Sequence, residues 1–378
     1  MLDKSKKAVL LLKDGTSFIG KGFGATGKIS GEVVFSTSMV GYTESLTDTS
    51  YRGQFLALTY PLIGNYGVPS DEIDELSGGL PRYFESDHIQ AQGLVIHELC
   101  LEPYHWASVR TLDKWLYDEG VPGIYGIDTR RLTKKLRTHG VMLGMLQVFD
   151  SNEEPDLETL LKECSDIVDP NQTDLVKEVS IKKLCKYNVD GKLTVVLIDC
   201  GVKFSIIRCL LKRGINVIRV PYDTSADEIL SYNPDGVLVS NGPGDPKRNT
   251  KTIEAVRVLA EKIPLMGICL GTQILALAFG ADTYKLKFGH RSQNQPALDL
   301  TSTRCYITIQ NHNYAINMET LKQTPLEPWF INPNDKTVEG IKHKSKPVFA
   351  VQWHPEASPG PHDTDMLFDK FKKTMEAK

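Results

Sequence analysis

No C-x-x-C pair occurs among the seven cysteines (100, 164, 185, 200, 209, 269 and 305), and their odd number and wide spacing suit reduced thiols better than a disulfide framework or a zinc site. No basic block is present either. With 44 basic against 47 acidic residues the net charge is −3, so the electrostatic footprint of a nucleic-acid binder is missing. The N-terminus offers only Ala8–Leu12 as an apolar run before Lys13, too few residues for a signal segment, and it lacks the Arg and Ser bias of a transit peptide. A cytoplasmic chain in a reducing compartment is the expectation. One uncharged stretch, Ile263 to Ala281, has the length of a membrane span, but its Pro264, Gly267, Gly271, Gln273 and Gly280 predict a buried strand, a tight turn and a buried helix instead. No membrane association is therefore expected, and the Asn171 sequon carries no meaning without secretion.

What is present is an ordinary globular composition, 41% apolar and 24% charged over 378 residues, which at roughly 150 residues per domain points to two domains. The first 150 residues alternate short β-branched runs with Gly and Asp-Gly, as in AVLLLKDG, GEVVFSTSM and QFLALTYPLIGNYG, and predict a β-rich domain with hairpins. Helical stretches are expected at about 107–118 and 129–138, the second carrying Leu132 and Leu136 behind an Asp128 or Thr129 cap. Residues 151–191 are polar and punctuated by Pro155, Pro170 and Asp190-Gly191, which reads as a connecting segment with one short helix. From 192 to 378 continuous apolar runs (KLTVVLID, INVIRVP, GVLVS, PLMGI) alternate with amphipathic stretches (KFSIIRCLLKRG, ADEILSYN, TIEAVRVLAEKI). This is the rhythm of an α/β fold with a flavodoxin-like, mostly parallel sheet, so chemistry is expected at the carboxyl ends of its strands.

Gly22-Phe-Gly24-Ala-Thr-Gly27-Lys28 satisfies G-x-G-x-x-G and nearly a phosphate-binding loop, but Ile29 stands where a metal-binding hydroxyl is needed. The following Gly31-Glu-Val-Val-Phe is a strand pattern rather than the helix whose N-terminus would hold a phosphate. A turn is the better reading. The remaining histidines (88, 97, 105, 139, 343 and 362) lack metal spacing, and no metal site is expected.

Gly267-Ile-Cys269-Leu-Gly271 sits between the strand pattern PLMGI and the helix pattern Thr272, Ile274, Leu275, Leu277, Ala278. It is the cysteine counterpart of a nucleophile elbow, in which a sharp strand-to-helix turn strains the nucleophile's backbone and leaves room only for glycine two residues either side. A helix N-terminus beside the sulfur favours thiolate. After a further strand pattern, PVFAVQW, come His354, Pro355 and Glu356. Pro355 is expected to hold His354 extended, so that residues two apart face one side and Glu356 orients the imidazole. A base held by a carboxylate is what a cysteine nucleophile requires.

GICLG, the His-Pro-Glu segment and Ser240–Pro246 (SNGPGDP) resemble the Cys-His-Glu glutaminase domain of class I glutamine amidotransferases, over about 192–375. The first half resembles the small subunit of carbamoyl-phosphate synthetases, or the equivalent N-terminal region of multifunctional pyrimidine-synthesis enzymes. The segments that carry this likeness are GEVVFSTSMVGYTESLTDTSY (31–51), LTYPLIGNYG (58–67), IDTRRLTKKLR (127–137), Gln310-Asn-His312 and SPGPHD (358–363).

The resemblance implies that Cys269 attacks the side-chain amide of glutamine, that His354 moves the proton and that Glu356 holds the ring. A cysteine of ordinary pKa is roughly 3% thiolate at pH 7, so preparing the thiolate is a task of about 2 kcal/mol. Stabilising the oxyanion is the larger one, roughly 3–4 kcal/mol per donor, and falls to the Leu270 N–H and a backbone N–H at Gly242. Substrate contacts are implied at Ser50, Gly242, Gly244, Gln273, Asn311, Asn313 and Tyr314, Ser50 lying in the N-terminal domain. The chain departs from the usual pattern at Thr272, Ser292 and Asn313. Asn is the residue that best tolerates a glycine-like left-handed backbone, so Asn313 is expected to preserve a main-chain contact.

Because ammonia is lost once protonated in water, the resemblance also implies a partner, the large synthetase subunit or a fused synthetase region. No cofactor is expected in this chain, with ATP and Mg left to that partner. Two alternatives stay open: a catalytically silent scaffold of an ammonia-dependent synthetase, and an amidotransferase serving GMP, CTP or anthranilate synthesis. Residues 31–67 and 127–137 speak against the last.

Overall fold

A computed structural model describes residues 6–75, 78–150 and 155–377. The chain divides into two compact units, Met1–Glu72 with Ser86–Thr173, and Ile73–Glu85 with Asp174–Lys378.

The first unit is built on a closed barrel of seven strands, in the spatial order Lys7–Leu12, Met142–Phe149, Gly27–Ser36, Gln54–Leu58, Gly93–Val95, Pro122–Tyr125 and Ser17–Gly24. The Asp14-Gly15 turn forms the first hairpin, with Gly15 at φ 86° and Leu11 opposite Ser17. In Lys7–Leu12 every residue after Lys7 is buried, since one side chain row fills the barrel while Val9 and Leu11 of the other row pack under Leu160 and Cys164 of the helix Leu157–Ser165. The helix Leu112–Asp118 begins five residues later than its periodicity suggested, because the Thr111 hydroxyl caps it by accepting from Lys114 N. Asp128 caps Thr129–His139 in the same way, through Arg131 N at 2.8 Å. The glycine-rich run at 22–28 is a two-residue connection between strands Ser17–Gly24 and Gly27–Ser36, and no helix follows it.

The second unit carries a ten-stranded sheet. Its centre is parallel, in the order Ile215–Pro221, Leu193–Asp199, Gly236–Val239, Leu265–Ile268 and Val348–Val351. The last three are buried at every position, as strands covered on both faces must be, and separate core clusters lie on the two faces. Antiparallel strands extend the sheet on both sides: Cys185–Tyr187 at one edge, and Val338–His343, Cys305–Ile316, Thr283–Asp299 and Leu326–Ile331 at the other. The segment read as a connection with one short helix therefore holds two helices, Leu157–Ser165 and Leu175–Val179, and an edge strand. Among the described residues no helix is long and apolar enough to cross a membrane, and Ile263–Ala281 is strand, elbow and buried helix.

Candidate active site

Cys269 stands between the strand Leu265–Ile268 and the helix Leu270–Ala278 with φ 54° and ψ −105°, a conformation costly for any residue but glycine. The surroundings fix it there. Cys269 N donates to Val351 O of the neighbouring strand at 2.9 Å, and Gly271 N donates to Ser240 O at 3.1 Å. A Cβ on Gly267 would come within 2.5 Å of Leu275 and 2.8 Å of the Gly271 backbone, and one on Gly271 within 2.2 Å of Val239 O. Both glycines are thus sterically obligatory, as the elbow spacing requires. The thiol is buried (2% exposed) and donates to Asn311 O at 3.6 Å. Leu270, as the first residue of the helix, has an N–H without an intrahelical acceptor beside the sulfur.

His354 and Glu356 lie together, with Nδ1 donating to Glu356 Oε1 at 2.7 Å. The reason differs from the expected one. His354–Ala357 is a turn, closed by Ala357 N donating to His354 O at 3.2 Å with Ala357 at φ 52°, so the extended geometry ends at His354. Glu356 Oε1 also meets Lys203 Nζ at 3.0 Å, and Lys203 Nζ donates to Ser358 O at 2.8 Å. Lys203 is one of the largest wholly buried side chains in the protein; nothing in its sequence context, a polar residue ahead of a helix, marked it out.

Burial works against charge on both His354 and Glu356, and pairing overcomes it. Desolvation pulls the His354 imidazolium down, but the Glu356 carboxylate beside it, with help from Cys269 and against the repulsion of Lys203, pushes it up to about 10. Glu356 is raised by burial yet held down at about 2 by Lys203 and His354. His354 Nε2 has no other hydrogen-bond partner, so the ring has one nitrogen committed to Glu356 and one available to the thiol.

Of the other expected site residues, Gly242 lies against the elbow. A Cβ there would fall 2.0 Å from Cys200 O and 2.8 Å from Leu270 Cδ2, so the loop after Gly236–Val239 can pass the nucleophile only as glycine. Gly244 has φ 84° and lies by Leu175. Gln273 is already engaged, donating from Nε2 to Tyr314 O at 2.8 Å and to Gln352 Oε1 at 3.0 Å, which places Tyr314 at the same side of the helix. Thr272 donates to Val351 O at 2.6 Å and so pins the elbow helix to the neighbouring strand. Asn313 does not take up a left-handed backbone. It is part of the strand Cys305–Ile316, beside an irregularity in the pairing with Thr283–Asp299, and its Oδ1 accepts from Arg291. The positive φ belongs instead to Gly289 across the pairing, at 70°. Ser292 has a buried hydroxyl without a partner. Ser50 sits in the first unit, in the turn Thr49–Tyr51, where its N–H donates to Asp48 Oδ1 at 2.9 Å.

Sequence reasoning missed one buried cluster. His290, His312 and Glu339 bring their side-chain donors within 4.8 Å of one another, a spacing a divalent cation could use. Each member already has partners: His290 Nε2 with Asp335 at 2.7 Å, His312 Nδ1 with Tyr314 O at 2.8 Å, and Glu339 with Gln310 Nε2 at 2.9 Å and Thr337 at 2.8 Å. The arrangement is satisfied as a hydrogen-bond network that braces the strand carrying Asn311 and Tyr314. A cavity of about 1130 Å³ is lined by Ile263, Pro264, Lys346 and Pro347 ahead of their strands, at the end opposite Cys269.

Residues 196–374 match the family model for glutamine amidotransferase class-I, and residues 10–146 match that for the carbamoyl-phosphate synthase small chain, CPSase domain. The chain is 51% identical over 365 residues to the carbamoyl phosphate synthase small chain of Methanopyrus kandleri, covering 97% of this chain and 98% of that one. It is 50% identical over 365 residues to the chain of the same name in Archaeoglobus fulgidus, with the same coverage. Over 385 residues it is 47% identical to the carbamoyl phosphate synthase arginine-specific small chain of Saccharomyces cerevisiae, covering 100% of this chain and 90% of that one.

Proposed function

The chain belongs to the carbamoyl-phosphate synthase small-chain family, and from that premise we propose that Cys269, His354 and Glu356 hydrolyse glutamine to glutamate and ammonia. The observation that carries this reading is the strained elbow cysteine together with an imidazole fixed at 2.7 Å by a buried carboxylate.

In this mechanism Cys269 Sγ attacks the side-chain carbonyl carbon of glutamine as a thiolate, its proton held on His354 Nε2. The carbonyl oxygen becomes an oxyanion that the Leu270 N–H and an N–H of the Gly242 loop would stabilise as charge develops. The C–N bond breaks as His354 returns the proton to the departing nitrogen, leaving a γ-glutamyl thioester and ammonia. Water then attacks the thioester, again with His354 taking the proton, and glutamate leaves with the thiol restored. Glu356 and Lys203 act on His354 rather than on substrate: the carboxylate fixes the ring and stabilises its charge, and the ammonium keeps the carboxylate ionised. Within the second unit, substrate would be held by Gly242, Gly244, Gln273, Asn311, Asn313 and Tyr314; of these, Gln273 can contact glutamine through Oε1, since its Nε2 is occupied.

Ammonia released to water is protonated and lost as a nucleophile, so the product is useful only when delivered to an acceptor site. The reading therefore includes a large synthetase chain that receives ammonia and carries the ATP, magnesium and bicarbonate chemistry of carbamoyl phosphate formation. Glutamine hydrolysis should be assayed with the chain alone, with a purified family synthetase, and with Cys269→Ser. Stimulation by the synthetase and loss of turnover in the variant are expected. Hydrolysis that survives the substitution would remove the nucleophile assignment, and absence of hydrolysis under every condition would favour the silent scaffold.

A further inference from the structure

The helix Phe204–Leu211 has no side-chain cap of its own, because its N-cap residue is Lys203, whose side chain is committed elsewhere. The cap comes from Glu85. Its carbonyl accepts from Phe204 N at 3.0 Å and its Oε2 from Ser205 N at 3.1 Å, so two of the orphan donors of the helix start are satisfied by one distant residue. Glu85 Oε1 takes three further donors: Ser205 Oγ at 2.6 Å, Arg208 at 2.8 Å and Ser358 Oγ at 2.6 Å. Glu85 is fully buried and Arg208 nearly so.

These contacts converge on the buried lysine from two directions. Capping fixes the backbone at Lys203. The Ser358 hydroxyl fixes the residue whose carbonyl accepts from Lys203 Nζ, and Nζ in turn reaches Glu356. Resting on the glutaminase reading above, we infer that Glu85 is a positioning residue for the triad, holding Lys203 and Ser358 so that Glu356 keeps His354 aligned. Glu85 lies outside the amidotransferase match at 196–374, within the synthase small-chain match at 10–146. It belongs nevertheless to the second compact unit, as part of Ile73–Glu85. That segment is anchored there by Leu80 in the core beside Leu211 and by Arg208 donating to Pro81 O at 2.6 Å. The amidotransferase half of the chain is thus completed by a residue that its own family pattern does not contain.

Ser358→Ala removes one hydroxyl from this chain of contacts and leaves Arg208 paired, so it should fold and melt like the parent. Glu85→Gln keeps the acceptor oxygen but not the charge opposite Arg208. Both should lower kcat for glutamine hydrolysis, roughly tenfold if the imidazole is displaced by a fraction of an ångström, with KM for glutamine little changed. The acid limb of the kcat/KM profile should move to higher pH, because a retreating Lys203 withdraws positive charge from the neighbouring imidazole. A merely structural contribution would lower stability without moving that limb. Folded variants with the parent's kcat and pH profile would overturn the inference. Cys269→Ser run alongside keeps the two claims apart: if it abolishes hydrolysis while the Glu85 and Ser358 variants are unaffected, only the positioning role falls.

Discussion

Replacing Gly271 by alanine should cripple the nucleophile without touching it. The added Cβ would sit 2.2 Å from Val239 O, 2.8 Å from Val239 C and 3.1 Å from Ser240 O. An ordinary carbon–oxygen contact is about 3.3 Å, so roughly 1 Å must be found. The obstructing atoms are backbone of a strand buried at every position, and the strand cannot yield; the elbow and its helix must move instead. Overpacking of this kind costs about 1–3 kcal/mol of stability, and a displacement near 1 Å at a reacting atom costs about 10²-fold in turnover. Ammonia release under saturating glutamine, paired with a thermal melt, reads both quantities. Gly280→Ala is the control: its Cβ meets nothing within 4 Å, although φ is 93°, so it should lose about 1–2 kcal/mol with kcat near the parent's. A Gly271→Ala enzyme with kcat within a few-fold of the parent would refute the steric account of the elbow.

Lys203→Met should be destabilising by about 3–5 kcal/mol, since it leaves the buried Glu356 carboxylate with a single cationic partner; a chemical denaturation midpoint equal to the parent's would contradict this. The stability of the His354–Glu356 pair should depend on pH in a definite sense. His354 is raised from 6.5 to about 10, so its contribution is complete below the unfolded value and is lost as pH rises through 10. Glu356 is lowered from 4.5 to about 2, so its contribution is complete above 4.5 and is lost as pH falls. The melting-temperature gap between the parent and His354→Gln should therefore be widest near pH 5–6 and narrow toward pH 10; a gap that widens with rising pH would be the wrong sign.

What could be read from the sequence was what covalent spacing enforces. Glycines two residues either side of Cys269 record a local steric problem, and His354 and Glu356 are close because only Pro355 separates them. The alternating runs from 192 onward gave the parallel centre of the sheet for a similar reason, since strand and helix each declare their period within a few residues. Lys203 and Glu85 could not be read, because each owes its place to tertiary contacts, across 153 and 120 positions respectively, with partners Glu356 and Ser205. The long antiparallel pair Thr283–Asp299 and Cys305–Ile316 was also silent: its burial pattern is interrupted by bulges and by buried polar residues that serve the site, so no clean alternation survives. One local expectation failed for a specific reason: the His-Pro-Glu segment closes as a turn rather than running on as a strand.

Covalent trapping tests the central claim most directly. Enzyme mixed with glutamine labelled in its carbon chain, quenched in acid within one turnover and digested, should carry a γ-glutamyl group on the peptide containing Cys269, and the label should be absent from Cys269→Ser. Glutamate formation at the parent's rate with no label on that peptide, or with label on another residue, would contradict it.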